Sequence, residues 1–314
     1  MIDQDSTAIG VAIVAPGGYA PDEVALAHGI AALEAQGCVV HNYYQPAEKY
    51  LRFGGTDSAR VAQLMAAARD PAVQIVMALR GSYGVSRILP ALDFAALADS
   101  GKLFVGYSDF TAFNLALMAA TGAVSFAGPM LCDDFTRPEP EVSQFTLSNF
   151  WQCLRGPTHT VSGICAADSA NPAVDVAGPL WGGNLAMLAH LVGSPFMPTV
   201  SQTDGGILFL EDVNEHPYRV ERMLLQLHQA GILARQKAIV LGDFSSYRLS
   251  EYDNGYDFAA MLAFIRKALP VPVLTGLPFG HVRDRATLPV GCQARLRSDQ
   301  HGFRLEMSAY PTLR

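Results

Sequence analysis

Charge is scarce in this chain: Asp, Glu, Lys and Arg make up only 16% of its 314 residues, while half are hydrophobic. So apolar a sequence can bury enough surface to offset the entropy of folding, which excludes a disordered or fibrous protein. Long apolar runs are missing as well. None reaches the roughly 18 residues of a membrane span, and 314 residues are enough for one large α/β domain or two ordinary ones. Basic runs are absent, and with a net charge of −7 neither nucleic acid nor an anionic membrane is an expected partner. The five cysteines, Cys38, Cys132, Cys153, Cys165 and Cys292, lack any CxxC spacing. An odd number without ligand spacing points to buried free thiols and away from disulfides or a zinc site. Met1-Ile-Asp-Gln-Asp-Ser6 has neither the basic start nor the apolar core of a secretory signal, so a cytoplasmic location is expected.

What the chain does have is alternation. Residues 8–15 form a continuous apolar run, the mark of a strand buried on both faces in a parallel sheet. Pro16-Gly17-Gly18 breaks it; neither GxGxxG nor GxxxxGK[ST] is present, so a tight strand-to-helix turn is expected there and not a nucleotide loop. A helix from about Pro21 to Gln36 follows, with Asp22 and Glu23 in its first turn and Gly37 past its end. Strands at Cys38–Asn42, Val73–Leu79, Lys102–Gly106 and Val124–Ala127 then alternate with helices, one of them capped by Thr56 and another running from Asp109 to Thr121. The pattern stops in the polar, proline-bearing segment 133–141, after which Phe145–Leu154 reads as a short amphipathic helix. Residues 1–155 are therefore expected as a first domain with a parallel sheet. Residues 156–179, rich in small, β-branched and proline residues, are expected as a linker. In 180–314, strands are expected at Gly205–Leu210, Lys237–Leu241 and Val271–Thr275, a strongly amphipathic helix from Pro217, and short alternating strands over Ala286–Met307.

Ligands in open α/β sheets bind at the carboxyl ends of the strands, and two loops there carry candidate chemistry. Phe104-Val-Gly-Tyr-Ser108 places a lone hydroxyl between a strand and a helix, where free N–H groups favour negative charge. Ser108 is a candidate nucleophile; a simple helix cap is the alternative. Leu79-Arg-Gly81-Ser82-Tyr-Gly84 supplies glycines that let backbone N–H groups approach a ligand, or that merely make a turn. Farther on, Glu211 follows an apolar strand and His281 follows a Gly- and Pro-rich turn, with His216 as the rival histidine. A serine needs a base, and an imidazole serves best with a carboxylate behind it. Ser108, Glu211 and His281 fill those roles, although Gly106-Tyr-Ser108-Asp-Phe110 lacks the second glycine of a GxSxG elbow.

Six segments in order, among them Arg80-Gly-Ser-Tyr-Gly84, Gly106-Tyr-Ser-Asp-Phe-Thr-Ala112, Leu180-Trp-Gly-Gly-Asn184, Leu210-Glu-Asp-Val-Asn-Glu-His216 and Gly276-Leu-Pro-Phe-Gly-His281, resemble the muramoyltetrapeptide LD-carboxypeptidases, serine peptidases of the S66 family. The resemblance implies an α/β fold: a Rossmann-like N-terminal domain with a parallel sheet, a smaller β-rich α+β C-terminal domain, an active site between them, and commonly a homodimer. It implies removal of the terminal D-Ala from murein tetrapeptides during peptidoglycan recycling, with no metal and no cofactor. By matching motifs, Ser108 would be the nucleophile, Glu211 the orienting acid and His281 the general base, with His216 left structural. The backbone N–H groups of Asp109, Gly81 and Ser82 would form the oxyanion hole. One departure stands out: the family usually has a second glycine where this chain has Ser82, which would strain the loop if φ is positive there. Arg80, Arg87, Arg283 and Arg285 are candidates to hold the substrate carboxylate, and Asp212 or Glu215 to meet the diaminopimelate ammonium. The alternatives are an S66 immunity peptidase cleaving peptidyl-nucleotides of the microcin C type, and a non-catalytic two-domain protein binding a small ligand.

Overall fold

The structure, a computed structural model, describes residues 8–137, 142–164 and 170–313, so Met1–Ser6, residues 138–141 of the polar segment, residues 165–169 of the expected linker and with them Cys165 lie outside the described residues. Five parallel strands, β1 (Ile9–Val14), β2 (Cys38–Asn42), β3 (Ile75–Ala78), β4 (Leu103–Val105) and β5 (Ser125–Ala127), make most of the first sheet, in the order β5-β4-β3-β1-β2. Val11 to Val14 and all of β3 are buried, as the unbroken apolar runs require of strands covered by helices on both faces. The helices start where side chains satisfy their first N–H groups: Asp22 accepts from Val24 and Ala25 (2.9 and 3.0 Å), and Thr56 from Ala59 at 3.2 Å. Gly122 closes the Thr111–Thr121 helix at φ +72°, a conformation that suits glycine.

The second sheet has seven strands: β6 (Thr158–Ile164), β7 (Val174–Asn184), β8 (Ile207–Val213), β9 (Ala238–Ser245), β10 (Val273–Thr275), β12 (Gln293–Asp299) and β13 (Gly302–Ser308), in the order β10-β9-β8-β7-β12-β13-β6. Its β7–β10 half is parallel and the other half antiparallel. Three expectations need correction. The stretch 156–179 is no simple linker, since it holds β6 and the first part of β7. β6 buries only alternate residues and sits at the sheet edge, so its Thr- and Ser-rich sequence has the polarity of a loop. The short strand β11 (Leu288–Val290) returns to the first sheet, antiparallel to β5 at its edge, the place where Pro289 costs no ladder hydrogen bond. Finally, β8 runs on through Glu211 and Asp212 instead of ending before them, with a register irregularity against β9 between Leu210 and Asp212.

One apolar cluster joins both sheets, including Phe113 and Leu117 of the Thr111–Thr121 helix together with Trp181, Leu188 and Leu210. Trp181 is fully buried, and its indole N–H donates to Gln236 at 2.9 Å. Gly183 abuts Thr111, whose Oγ1 accepts from the Asn184 N–H at 3.0 Å. The helix that follows Ser108 is thus packed directly onto the strand end that leads to Asn184.

Candidate active site

β4 ends at Val105, and the chain turns through Gly106 and Tyr107 to Ser108. A side chain on Gly106 would lie 2.7 Å from the Phe110 ring, so this glycine allows the aromatic to fold back over the turn. Phe110 occupies the position of the second glycine in a GxSxG elbow. Ser108 itself holds φ +60°, a left-handed conformation that is uncommon for a non-glycine residue. Residues 108–110 form a 3-10 turn before the α-helix begins at Thr111, and the Ser108 side chain makes no capping bond to that helix. The hydroxyl is instead 3.0 Å from His281 Nε2.

His281 lies beyond β10, after Gly280 at φ +135°. Its Nδ1 is 2.8 Å from Glu211 Oε2, and Glu211 is fully buried in β8. Asn184 Nδ2 donates to Glu211 Oε1 at 3.1 Å and to Asp212 Oδ1 at 3.0 Å. Glu211 is thereby aimed by one neighbour and engaged by the imidazole with its other oxygen. Burial disfavours the imidazolium, but the hydrogen bond and charge of Glu211 outweigh it and hold the His281 pKa above its ordinary value. The trio spans both sheets: Ser108 follows a strand of the first, while Glu211 and the chain leading to His281 come from the second.

The glycine loop meets the same point. A methyl carbon on Gly81 would lie 2.9 Å from both Cβ and Oγ of Ser108 and 3.5 Å from the Asp109 nitrogen, so the two backbone segments abut at the hydroxyl. Ser82 does adopt positive φ, +77°, and its hydroxyl accepts from Arg52 at 3.1 Å. The Asp109 carboxyl turns inward, where Oδ2 accepts from the Val85 N–H at 3.0 Å. Burial pushes its pKa up to about 7, against the opposing pull of that N–H, Arg60 and Arg52.

The remaining candidates have other partners. His216 binds Asp253 at 3.1 Å and caps the Pro217–Gln229 helix. Arg87 pairs with Asp57 at 2.9 Å, and Arg285 is buried against Asp134. Arg80 donates to the Tyr19 carbonyl at 3.5 Å. The Arg283 carbonyl accepts from Thr146 Oγ1 at 3.0 Å. Asp212 is buried and accepts from the Ala186 N–H at 2.9 Å, which commits it to the start of the Leu185–Leu191 helix. Glu215 lies 3.7 Å from Arg219. Asn184 had no role assigned from the sequence, and Arg285 was expected to hold the substrate carboxylate, not to pair with Asp134 inside the protein. The Trp-Gly-Gly-Asn segment was a usable signal for Asn184, whereas Arg285 and Asp134 are 151 residues apart and carry none. Among the described residues, no group of three or more His, Cys, Asp or Glu side chains is placed to hold a metal, and no helix is long and apolar enough to cross a membrane.

Comparison with known proteins agrees with this architecture. Residues 11–128 match the family model of the LD-carboxypeptidase N-terminal domain, and residues 177–296 that of the LD-carboxypeptidase C-terminal domain. The crystal structure of the muramoyltetrapeptide carboxypeptidase from Oxalobacter formigenes is 53% identical, covers 96% of this chain and 100% of its own, and superposes with a TM-score of 0.90. The murein tetrapeptide carboxypeptidase of Pseudomonas aeruginosa is 30% identical over 92% of this chain and 94% of its own. The microcin C7 self-immunity protein MccF of Escherichia coli is 26% identical over 78% of this chain and 77% of its own. The chain belongs to the S66 LD-carboxypeptidases, a family of serine-type peptidases, and is a carboxypeptidase hydrolase.

Proposed function

We propose that the protein removes the terminal D-Ala from murein tetrapeptides, cutting the bond at the L-centre of diaminopimelate, with Ser108 as nucleophile, His281 as general base and Glu211 as the carboxylate that orients it. The observation that carries this reading is the unbroken line from Ser108 Oγ to His281 Nε2 (3.0 Å) and from His281 Nδ1 to Glu211 Oε2 (2.8 Å). His281 takes the hydroxyl proton as Ser108 attacks the scissile carbonyl, and Glu211 stabilises the imidazolium and fixes its tautomer. The N–H groups of Asp109, Gly81 and Ser82 receive the oxyanion; a single such donor is typically worth about 2.7–4 kcal/mol of barrier. His281 then protonates the leaving D-Ala amine, and water hydrolyses the acyl-serine by the reverse proton route.

In this reading residues 1–155 carry the nucleophile and 180–314 the base and carboxylate, and the enzyme works as a cytoplasmic homodimer in peptidoglycan recycling. Sedimentation at equilibrium checks the dimer by mass. Incubation with a murein tetrapeptide, followed by mass spectrometry, tests the activity: the expected product has lost one alanine. Folded protein that leaves the tetrapeptide intact contradicts the reading, and faster turnover of a peptidyl-nucleotide offered in competition would move it to the microcin C branch of the family.

A further inference from the structure

The turn that carries His281 is fastened to the nucleophile's side of the molecule. Ser143 Oγ donates to Asp284 Oδ1 at 2.6 Å, and Thr146 Oγ1 both accepts from the Arg285 N–H (2.8 Å) and donates to the Arg283 carbonyl (3.0 Å). Arg285, only 1% exposed, is the centre of this joint. Its Nε donates to the Gly280 carbonyl at 2.7 Å and its Nη2 to the Val282 carbonyl at 3.1 Å, so one guanidinium grips the chain on both sides of His281. The same Nη2 donates to Tyr107 Oη at 2.8 Å, and the guanidinium carbon stands 3.7 Å from the centre of the Tyr107 ring. Tyr107 immediately precedes Ser108, and its ring centre is 5.0 Å from that of His281. Asp134 closes the arrangement: it accepts from Arg285 Nη1 at 2.6 Å and from the Met130 N–H at 2.9 Å.

We propose that Arg285 is a positioning residue for the reaction, whose planar fork sets the distance between His281 and Ser108 by holding both carbonyls that flank the histidine and the tyrosine that precedes the serine. The inference rests on the carboxypeptidase reading for its substrate, but the serine–histidine geometry it describes does not depend on the peptide. A buried guanidinium suits this task because its donors lie in one fixed plane, which a lysine cannot reproduce. The pairing with Asp134 supplies the counter-charge without which a buried cation would be costly. Arg285 touches none of the reacting atoms, so its loss is expected in the chemical step and not in substrate binding.

Two measurements separate this from a merely structural ion pair. With Arg285→Lys, a displacement on the order of 1 Å at the base is expected to lower kcat about 10²-fold, with KM changed less than about threefold. The second-order rate of fluorophosphonate labelling at Ser108, which needs the serine–histidine pair but no peptide, is expected to fall in parallel. A folded Arg285→Lys protein that labels within about threefold of the wild-type rate, or whose loss lies wholly in KM, overturns the proposal. Should Arg285→Lys not fold, Tyr107→Phe carries the test, because it keeps the buried ion pair and the ring and removes one oxygen. Loss of the Arg285 hydrogen bond, together with the longer one from Tyr107 Oη to Asp133 (3.4 Å), predicts about a fivefold fall in both kcat and labelling, and an unchanged labelling rate there overturns the proposal as well. Wild-type protein that labels at Ser108 but releases no alanine would count against the murein reading alone, leaving the role of Arg285 to be decided by labelling.

Discussion

Ser108 is held at φ +60° with its hydroxyl turned away from the helix it precedes and toward His281. Local sequence left two readings for it, because Ser before a helix is also a common cap; its side chain makes no capping bond and meets His281, from far along the chain. Glu211 lies behind that histidine, and its replacement is informative in two ways. In Glu211→Gln the amide can donate to His281 Nδ1 and hold the wrong tautomer, so kcat is expected to fall about 10⁴-fold. The carboxylate also supplies what raises the His281 pKa against burial. The base works when neutral, so activity is lost as pH falls through that pKa, and in Glu211→Gln the acid limb of kcat/KM moves to lower pH. A limb that stays in place would show that another group titrates there. Asp109 makes a separate prediction. With a pKa pushed up to about 7 from 3.8, its folded carboxyl keeps a proton that the unfolded chain releases, so this group's contribution to stability declines as pH rises from about 4 through 7. Thermal unfolding of Asp109→Asn at pH 5 and pH 8 is expected to show a smaller decline than wild type, and an equal decline in both proteins would contradict the assignment.

Among elements, the glycine loop after β3 shows what close approach demands. Gly81 faces Ser108 so tightly that Gly81→Ala puts its methyl 2.9 Å from the hydroxyl. The expected result is at least about a 10²-fold fall in kcat/KM together with a loss of about 1–3 kcal/mol from overpacking, read from steady-state kinetics and urea unfolding. Near-wild-type kinetics would place the loop away from the reacting centre. The elements of the first sheet were legible because strands buried on both faces write unbroken apolar runs and their helices begin with recognisable residues: Thr56 caps the helix expected of it, and Asp22, expected in a first turn, is the cap itself. β6 and β11 were not, for opposite reasons. β6 is a half-buried edge strand with the composition of a loop, and β11 is three residues long with a proline at its middle. Glu211 was read as following its strand, and the register irregularity of β8 that turns both Glu211 and Asp212 inward has no sequence signature.

At the scale of the molecule, the candidate site takes Ser108 from the turn after β4 in the first sheet and Glu211 from β8 in the second, and one apolar cluster joins the two sheets. The motifs offered candidates for the nucleophile, the base and the carboxylate, but they said nothing of the joint between the halves, since Arg285 meets Asp134 and Tyr107 only after the chain has crossed between sheets. A single experiment bears on the central claim that these halves assemble a serine nucleophile with a histidine base. A fluorophosphonate probe followed by peptide mass mapping should place one adduct on Ser108, slowed by excess murein tetrapeptide and nearly abolished in His281→Ala. An adduct on any other residue, or labelling of Ser108 at the same rate without His281, would contradict the account.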